Sequence, residues 1–300
     1  MTAPRFDHFA VVDWSGQAVE RPGGLAVAQA AADGEAPILL RPEPGWSREG
    51  ILGWLADHAA RQTRILVGLD LSPAFPFHDA GSYFPGWDLS PNSATELWAL
   101  VDALCAEDPH LGANGFVNHP EARRYFRQRG DCGDLFPTGR GRFRVCEHGQ
   151  AAMRLSPYSC FNLVGAAQVG KSSLTGMRVL HRLQGVVPIW PFDPIPDRGP
   201  VIVEIYTALA SRAAGMRKGL SKIRSGPALD EALTAFGSRP HVPLARYDDH
   251  STDAILTTAW LRYVSQQDVF CGARKNSRRN WLAPRAGPSA FINFVRRLCV

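Results

Sequence analysis

The chain has 300 residues, 45% hydrophobic and 20% charged, an ordinary soluble globular composition with ample material for a core. Its formal net charge is +5 with a pI near 9.0, and arginine far outnumbers lysine, which permits a nucleic-acid partner because guanidinium forks suit phosphate. No apolar run approaches membrane-spanning length and the N-terminus has no secretion-signal core, so the reading is a cytoplasmic protein with no membrane partner. The six cysteines (Cys105, Cys132, Cys146, Cys160, Cys271, Cys299) form no C-x-x-C pair, and Cys146-x-His148 is too short a spacing for the usual zinc ligand pair.

In chain order, His8 to Asp13 is a short apolar run ended by an acid and the turn Trp14-Ser-Gly16, which predicts a buried strand with Asp13 at its C-terminal end. Weak alternation over Leu25–Ala30 and the run Pro37–Leu40, separated by Gly-rich turns, complete a three-stranded meander. Ser47 caps a helix that runs to about Arg61. Arg64 to Asp70 is a second apolar run ended by an acid. A strand-final Asp is ordinary turn chemistry when alone, but two strands ending alike point to a site, because the C-terminal ends of strands in open α/β sheets are where sites form.

Residues 74 to about 160 change character, with frequent Phe, Trp, Pro and Gly, and only Asn92–Cys105 carries a clear helical pattern. Arg123, Arg124, Arg127, Arg129, Arg140, Arg142 and Arg144 interleave with Tyr125, Phe126, Phe136 and Phe143. This stretch reads either as a grip for nucleic acid or as a loop-rich insertion with its own aromatic core. A helix is expected over 165–184, then a Pro-rich link, then the strand Val201–Tyr206 with an internal Glu204, an acid that needs a partner, a metal or a proton if buried. Helices over Leu209–Met216 and Ala228–Phe236 precede Asp248-Asp-His-Ser-Thr-Asp253, which opens a final helix. Ser251 or Thr252 is the expected cap, and Asp249 and Asp253 lie on one face. Two such carboxylates call for a compensating cation. The simpler reading is acids placed at the positive end of a helix dipole. The tail, 266–300, is basic.

Gly165-Ala-Ala-Gln-Val-Gly170-Lys171-Ser172 satisfies the pattern G-x-x-x-x-G-K-[ST], in which backbone N–H groups, Lys171 and Ser172 would bind phosphate. A working P-loop requires a buried strand directly before the glycines, and only Phe161–Val164 could supply it.

The element order strand–strand–strand–helix–strand–helix–strand–helix, with Val12-Asp13 on strand one, Asp70 on strand four and Asp249-His250-Ser-Thr-Asp253-Ala on the last helix, resembles the ribonuclease H-like superfamily in its RuvC-like branch. More narrowly, Gly68-Leu-Asp-Leu-Ser-Pro73, Val203-Glu-Ile-Tyr206 and Asp253-Ala-Ile-Leu256 are similar to the family known as domain of unknown function 429. The likeness covers residues 6–73 and about 165–265. It implies a single α/β domain over 1–300: a mixed five-stranded sheet with helices on both faces, interrupted by the 74–160 insertion. It further implies a metal-dependent nuclease, a phosphodiester hydrolase in which Asp13, Asp70, Asp249 and Asp253 bind Mg2+ or Mn2+, with His250 assisting catalysis and a nucleic acid, DNA or RNA, as substrate. A homodimer is implied by analogy with resolvases. Glu204 departs from the resolvase pattern, as an extra metal ligand or a structural group. The alternatives are an actin-like or P-loop nucleotide-binding protein, and a non-catalytic nucleic-acid-binding module.

Overall fold

The computed structural model of the chain describes residues 5–164, 168–216 and 222–266. Residues 165–167 of the glycine-rich motif, and the basic tail beyond Gln266 with Cys271 and Cys299, lie outside the described residues. β1 (His8–Asp13), β2 (Ala26–Ala31) and β3 (Ile38–Leu40) form the expected antiparallel meander. α1 (Arg48–Ala60) begins where the Ser47 hydroxyl accepts the Gly50 N–H at 2.9 Å, and β4 (Ile65–Leu69) follows. The insertion contains α2 (Ala94–Leu104), α3 (Asn114–Asn118), a small hairpin of β5 (Arg127–Gln128) and β6 (Asp131–Cys132), and α4 (Val145–Ala152). The chain then runs through α5 (Val169–Leu183), β7 (Ile189–Trp190), β8 (Val201–Glu204), α6 (Thr207–Ala213), α7 (Gly226–Thr234) and α8 (Asp249–Ser265).

The main sheet is mixed and has six strands in the order β3-β2-β1-β4-β8-β7, so the expected count of five is corrected by one. The added strand is β7, parallel to β8 through Ile189↔Ile202 and Trp190↔Val203. Two residues among prolines have no readable periodicity, and pairing alone makes them a strand. β1, β4 and β8 are mutually parallel, so their C-terminal ends share one edge.

Side chains alternate across this sheet and divide the core in two. Val12, Val67, Leu69 and Ile202 face α1, α2 and α5, whereas Val11, Leu66, Val203 and Ile205 face α6, α7 and α8. β1, buried along nearly its whole length, reads as a continuous apolar run because helices cover both faces. The aromatics of 74–160 join the core on the α1, α2 and α5 side of the sheet. Phe75, Phe84, Phe126 and Phe161 are buried, with Phe75 5.8 Å from Phe84 and from Phe126 and 5.0 Å from Phe161, ring centroid to centroid. The expected separate aromatic core of that stretch is corrected to an extension of the sheet's own core.

The turn after β1 is wedged against α5. A Cβ on Gly16 would lie 2.5 Å from the Lys171 carbonyl carbon and the Ser172 nitrogen, so only glycine fits. The Trp14 indole N–H donates to Thr175 Oγ1 at 3.1 Å, and the buried Arg48 guanidinium donates to the Ser15, Gln17 and His110 carbonyls. Gly16→Ala should therefore cost about 1–3 kcal/mol in urea unfolding, because backbone cannot move aside as a rotamer can. Gly23→Ala, with open space around its Cβ position, should change stability by less than about 0.5 kcal/mol.

Candidate functional site

Asp13 ends β1, and Asp70 follows the last residue of β4. The register Val12↔Leu69, extended by the Asp70 N–H donating to the Val12 carbonyl at 3.0 Å, sets the two acids side by side on the α8 face. Their carboxyls share a hydrogen bond. Thr207, at the start of α6, donates from Oγ1 to Asp70 Oδ2 at 3.3 Å.

The third element is α8. Its N-cap is Asp248, whose carboxylate accepts the Ser251 N–H at 2.9 Å, so the caps expected at Ser251 or Thr252 are corrected to the acid just before them. This start places His250 Nδ1 2.6 Å from Asp13 Oδ2. Gly24 makes room for that ring, since a Cβ there would lie 3.0 Å from both Cε1 and Nε2 of His250. Asp249 and Asp253, one turn apart, share the Lys222 ammonium, at 3.0 Å and 3.6 Å respectively. Arg224 also pairs with Asp249. The compensating cation that the acid spacing calls for is therefore a lysine of this chain. Nothing in the sequence periodicity marked Lys222, Arg224 or Thr207, because each reaches the site through tertiary packing.

Four groups are displaced upward from their ordinary range. Burial pushes the Asp13 carboxyl up, against the opposing pull of His250. Burial and the neighbouring charges of Asp13 and Asp253 push Asp70 up much further. Burial raises Asp253 to about 6, with Lys222 opposing. The hydrogen bond to Asp13 raises His250, against its own burial. Asp249 behaves differently: burial would raise it, but Arg224 and Lys222 outweigh that and hold it below the usual range. The cluster is thus two adjacent buried carboxyls, both displaced upward, a histidine disposed to hold a proton, and a half-buried acid beside an ammonium.

Glu204 does not join them. It pairs with Leu69 across the β4–β8 ladder, so alternation aims it to the face opposite Asp70. There both its oxygens meet Arg144, at 2.6 and 3.0 Å, and the same guanidinium lies 2.7 Å from Glu147 and donates to Ser72 Oγ at 3.0 Å. All three charged side chains are at most 10% exposed. The partner a buried strand acid requires is thus an arginine from the insertion.

Lys171 and Ser172 lie in the first turn of α5. Residues 156–164 contain no strand, only a single bridge from Asn162 to Arg127. The Lys171 and Ser172 N–H groups donate to the Gln168 carbonyl at 3.1 and 3.2 Å, and Gly170 N–H to that of Asn162 at 3.4 Å. The strand-then-phosphate-loop geometry of a P-loop is absent from the described residues, and the backbone donors are already engaged.

Asp13, Asp70 and Asp253 offer hard oxygen donors of the kind that suits Mg2+ or Mn2+, and two adjacent buried carboxyls are where a cation would relieve repulsion. Among the described residues, however, no three His, Cys, Asp or Glu side chains already converge as a metal-ligand set. The carboxyls are closed on each other, on His250 and on Lys222.

Two outcomes follow. In EDTA, the native state binds protons at Asp70 and Asp253 that the unfolded chain has released above about pH 4; the Asp253 part of this stability is complete below that pH and lost as pH rises through about 6, and the raised Asp70 acts in the same direction. Asp70→Asn, whose amide donates to Asp13 without a shared proton, should then be more stable than wild type at pH 7.5 by on the order of 1 kcal/mol, with the gap closing towards pH 4. A variant less stable at both pH values would contradict this. Glu204→Gln should cost about 1–3 kcal/mol by weakening the Arg144 pair, yet leave calorimetric Mn2+ binding unchanged. No family model, curated protein or solved structure matches the chain.

Proposed function

We propose that the protein is a metal-dependent phosphodiester hydrolase, a nuclease of the ribonuclease H-like, RuvC-like kind akin to the domain of unknown function 429 family. The carrying observation is the meeting of Asp13, Asp70 and His250 from three separate elements at one sheet edge, with displaced protonation. Supporting it, the described elements contain strand–strand–strand–helix–strand–helix–strand–helix in order, with β7, α6, α7 and the insertion added. A bound divalent cation, Mg2+ or Mn2+, would supply Lewis acidity and a more acidic water. Asp13, Asp70 and Asp253 are the residues to hold it.

The chain's own groups have separable roles. Asp13 and Asp70 retain a proton between them that a cation would displace. His250, through Nδ1, orients Asp13 Oδ2. Lys222 and Arg224 neutralise Asp249 and keep the start of α8 from repelling a polyanion. Asp249 belongs with these cations rather than with the Asp13–Asp70 pair. A nucleic acid is the substrate class that fits this chemistry and the chain's net positive charge. A homodimer remains part of the reading by analogy only.

The decisive experiment is cleavage of labelled single-stranded, duplex and four-way-junction DNA and of RNA in Mn2+ or Mg2+, comparing wild type with Asp13→Asn. Wild type should cut at least one of them. Asp13→Asn should lose at least about 1,000-fold of the rate while retaining substrate binding, as expected where positioned electrostatics carry the reaction. No cutting by wild type, together with no rise in melting temperature on adding Mn2+, would overturn the hydrolase in favour of a non-catalytic binding module.

A further inference from the structure

The arginines of the insertion do not share one fate. Arg123 pairs with Asp131, Arg124 with Asp134 and Glu121, Arg142 with Asp79, and Arg144 with Glu204 and Glu147. Arg129, exposed at the turn of the β5–β6 hairpin, has no ion pair or hydrogen bond of its side chain among the described residues, and neither has Lys171 in α5. These two cations line the same cavity of about 600 Å3, with Gln128, Gln168, Leu163 and Val164, and no carboxylate is among its lining residues.

Backbone contacts hold the walls in place. Arg127 N–H donates to the Phe161 carbonyl at 3.0 Å, Leu163 N–H donates to the Arg127 carbonyl at 2.9 Å, and Gln128 Nε2 donates to the Val117 carbonyl at 2.8 Å. Gly170 lies so close to the neighbouring chain that a Cβ would fall 2.2 Å from the Cys160 carbonyl oxygen. The cavity also adjoins the sheet edge that carries the acids. Lys171 abuts Gly16, three residues beyond Asp13, and Ser72, two residues beyond Asp70, donates its N–H to Ser173 Oγ at 3.2 Å.

We propose that this cavity is a phosphate subsite in which Lys171 and Arg129 hold a backbone phosphate of a polynucleotide whose chain continues over the sheet edge to the acids. Two unpaired cations facing one cavity repel each other and leave a local positive charge that an oxyanion would neutralise. The Gly170, Lys171 and Ser172 amides are already engaged, so the side chains bind the ligand, and the glycine-rich motif contributes Lys171. The assignment of the ligand as a polynucleotide rests on the hydrolase reading; the anion site itself does not.

Fluorescence anisotropy of a labelled single-stranded oligonucleotide, in EDTA and at several salt concentrations, tests this with Lys171→Met, Arg129→Met and their double variant. Arg123→Met, which removes an arginine already paired, is the control, and thermal melts establish that each variant folds. The double variant should weaken oligonucleotide binding at least about tenfold and reduce the salt slope by roughly 0.7 to 1.4, while Arg123→Met changes affinity less than about twofold. Lys171→Arg should retain affinity. Wild-type affinity and slope in the folded double variant, or no oligonucleotide binding by wild type, would overturn the proposal. ATP or pyrophosphate binding that the double variant loses, with oligonucleotide affinity unchanged, would overturn the polynucleotide assignment in favour of a free nucleotide phosphate. Loss of oligonucleotide binding in the double variant alongside undiminished cleavage by Asp13→Asn would sink the acid-cluster reading and leave the subsite standing.

Discussion

Two aspartates that must lie side by side govern this structure. β1 and β4 are adjacent and parallel, both are apolar to their last residue, and both are followed or ended by an acid, so the ladder itself presses Asp13 against Asp70. Like charges at that separation are costly, and more so where helices exclude water. The surroundings answer the cost in several ways: Asp70 is pushed towards its protonated form, the His250 imidazole lies on one flank and the Thr207 hydroxyl on the other. α8 and α6 are therefore positioned by polar demands of the sheet edge as well as by the apolar core they cover.

The insertion after β4 contributes more than a surface. Its aromatics extend the core on the α5 side of the sheet, and Arg123, Arg124, Arg142 and Arg144 are held in ion pairs. Arg144 reaches back to β8 and neutralises Glu204, an acid that would otherwise be stranded on the α5 side of the sheet. Removing one member of so buried a group would leave an uncompensated charge, which is far more costly than the net value of the intact pair. The insertion and the sheet are thus tied by electrostatics at the same edge that carries the aspartates, and Arg123, Arg124, Arg142 and Arg144 of a run that is basic in sequence are each met by an acid in space.

α5 crosses the opposite face of that edge. Its first turn holds the loop after β1 through Gly16 and the segment after β4 through Ser173. Acids on one side of the sheet edge and unpaired cations beyond the other make a polar gradient across it.

Much of the site was legible from local pattern. Apolar runs ending in Asp13 and Asp70, and an acid-rich cap followed by a long apolar helix, are short-range features that the sequence states directly. Their use of one face at 249 and 253 follows from helix geometry, and so does the need for a cation beside them. Tertiary structure alone decided which cation that is, because Lys222 arrives from another segment. It alone turned Glu204 away from the acids, since strand alternation assigns a face only once the register with β4 is known. It also made a strand of Ile189–Trp190, two residues too few to show a period, and placed no strand among the described residues just before the glycine-rich motif. The sequence by itself determined which residues can carry charge and where the chain turns; the pairing of distant segments determined which of those charges meet.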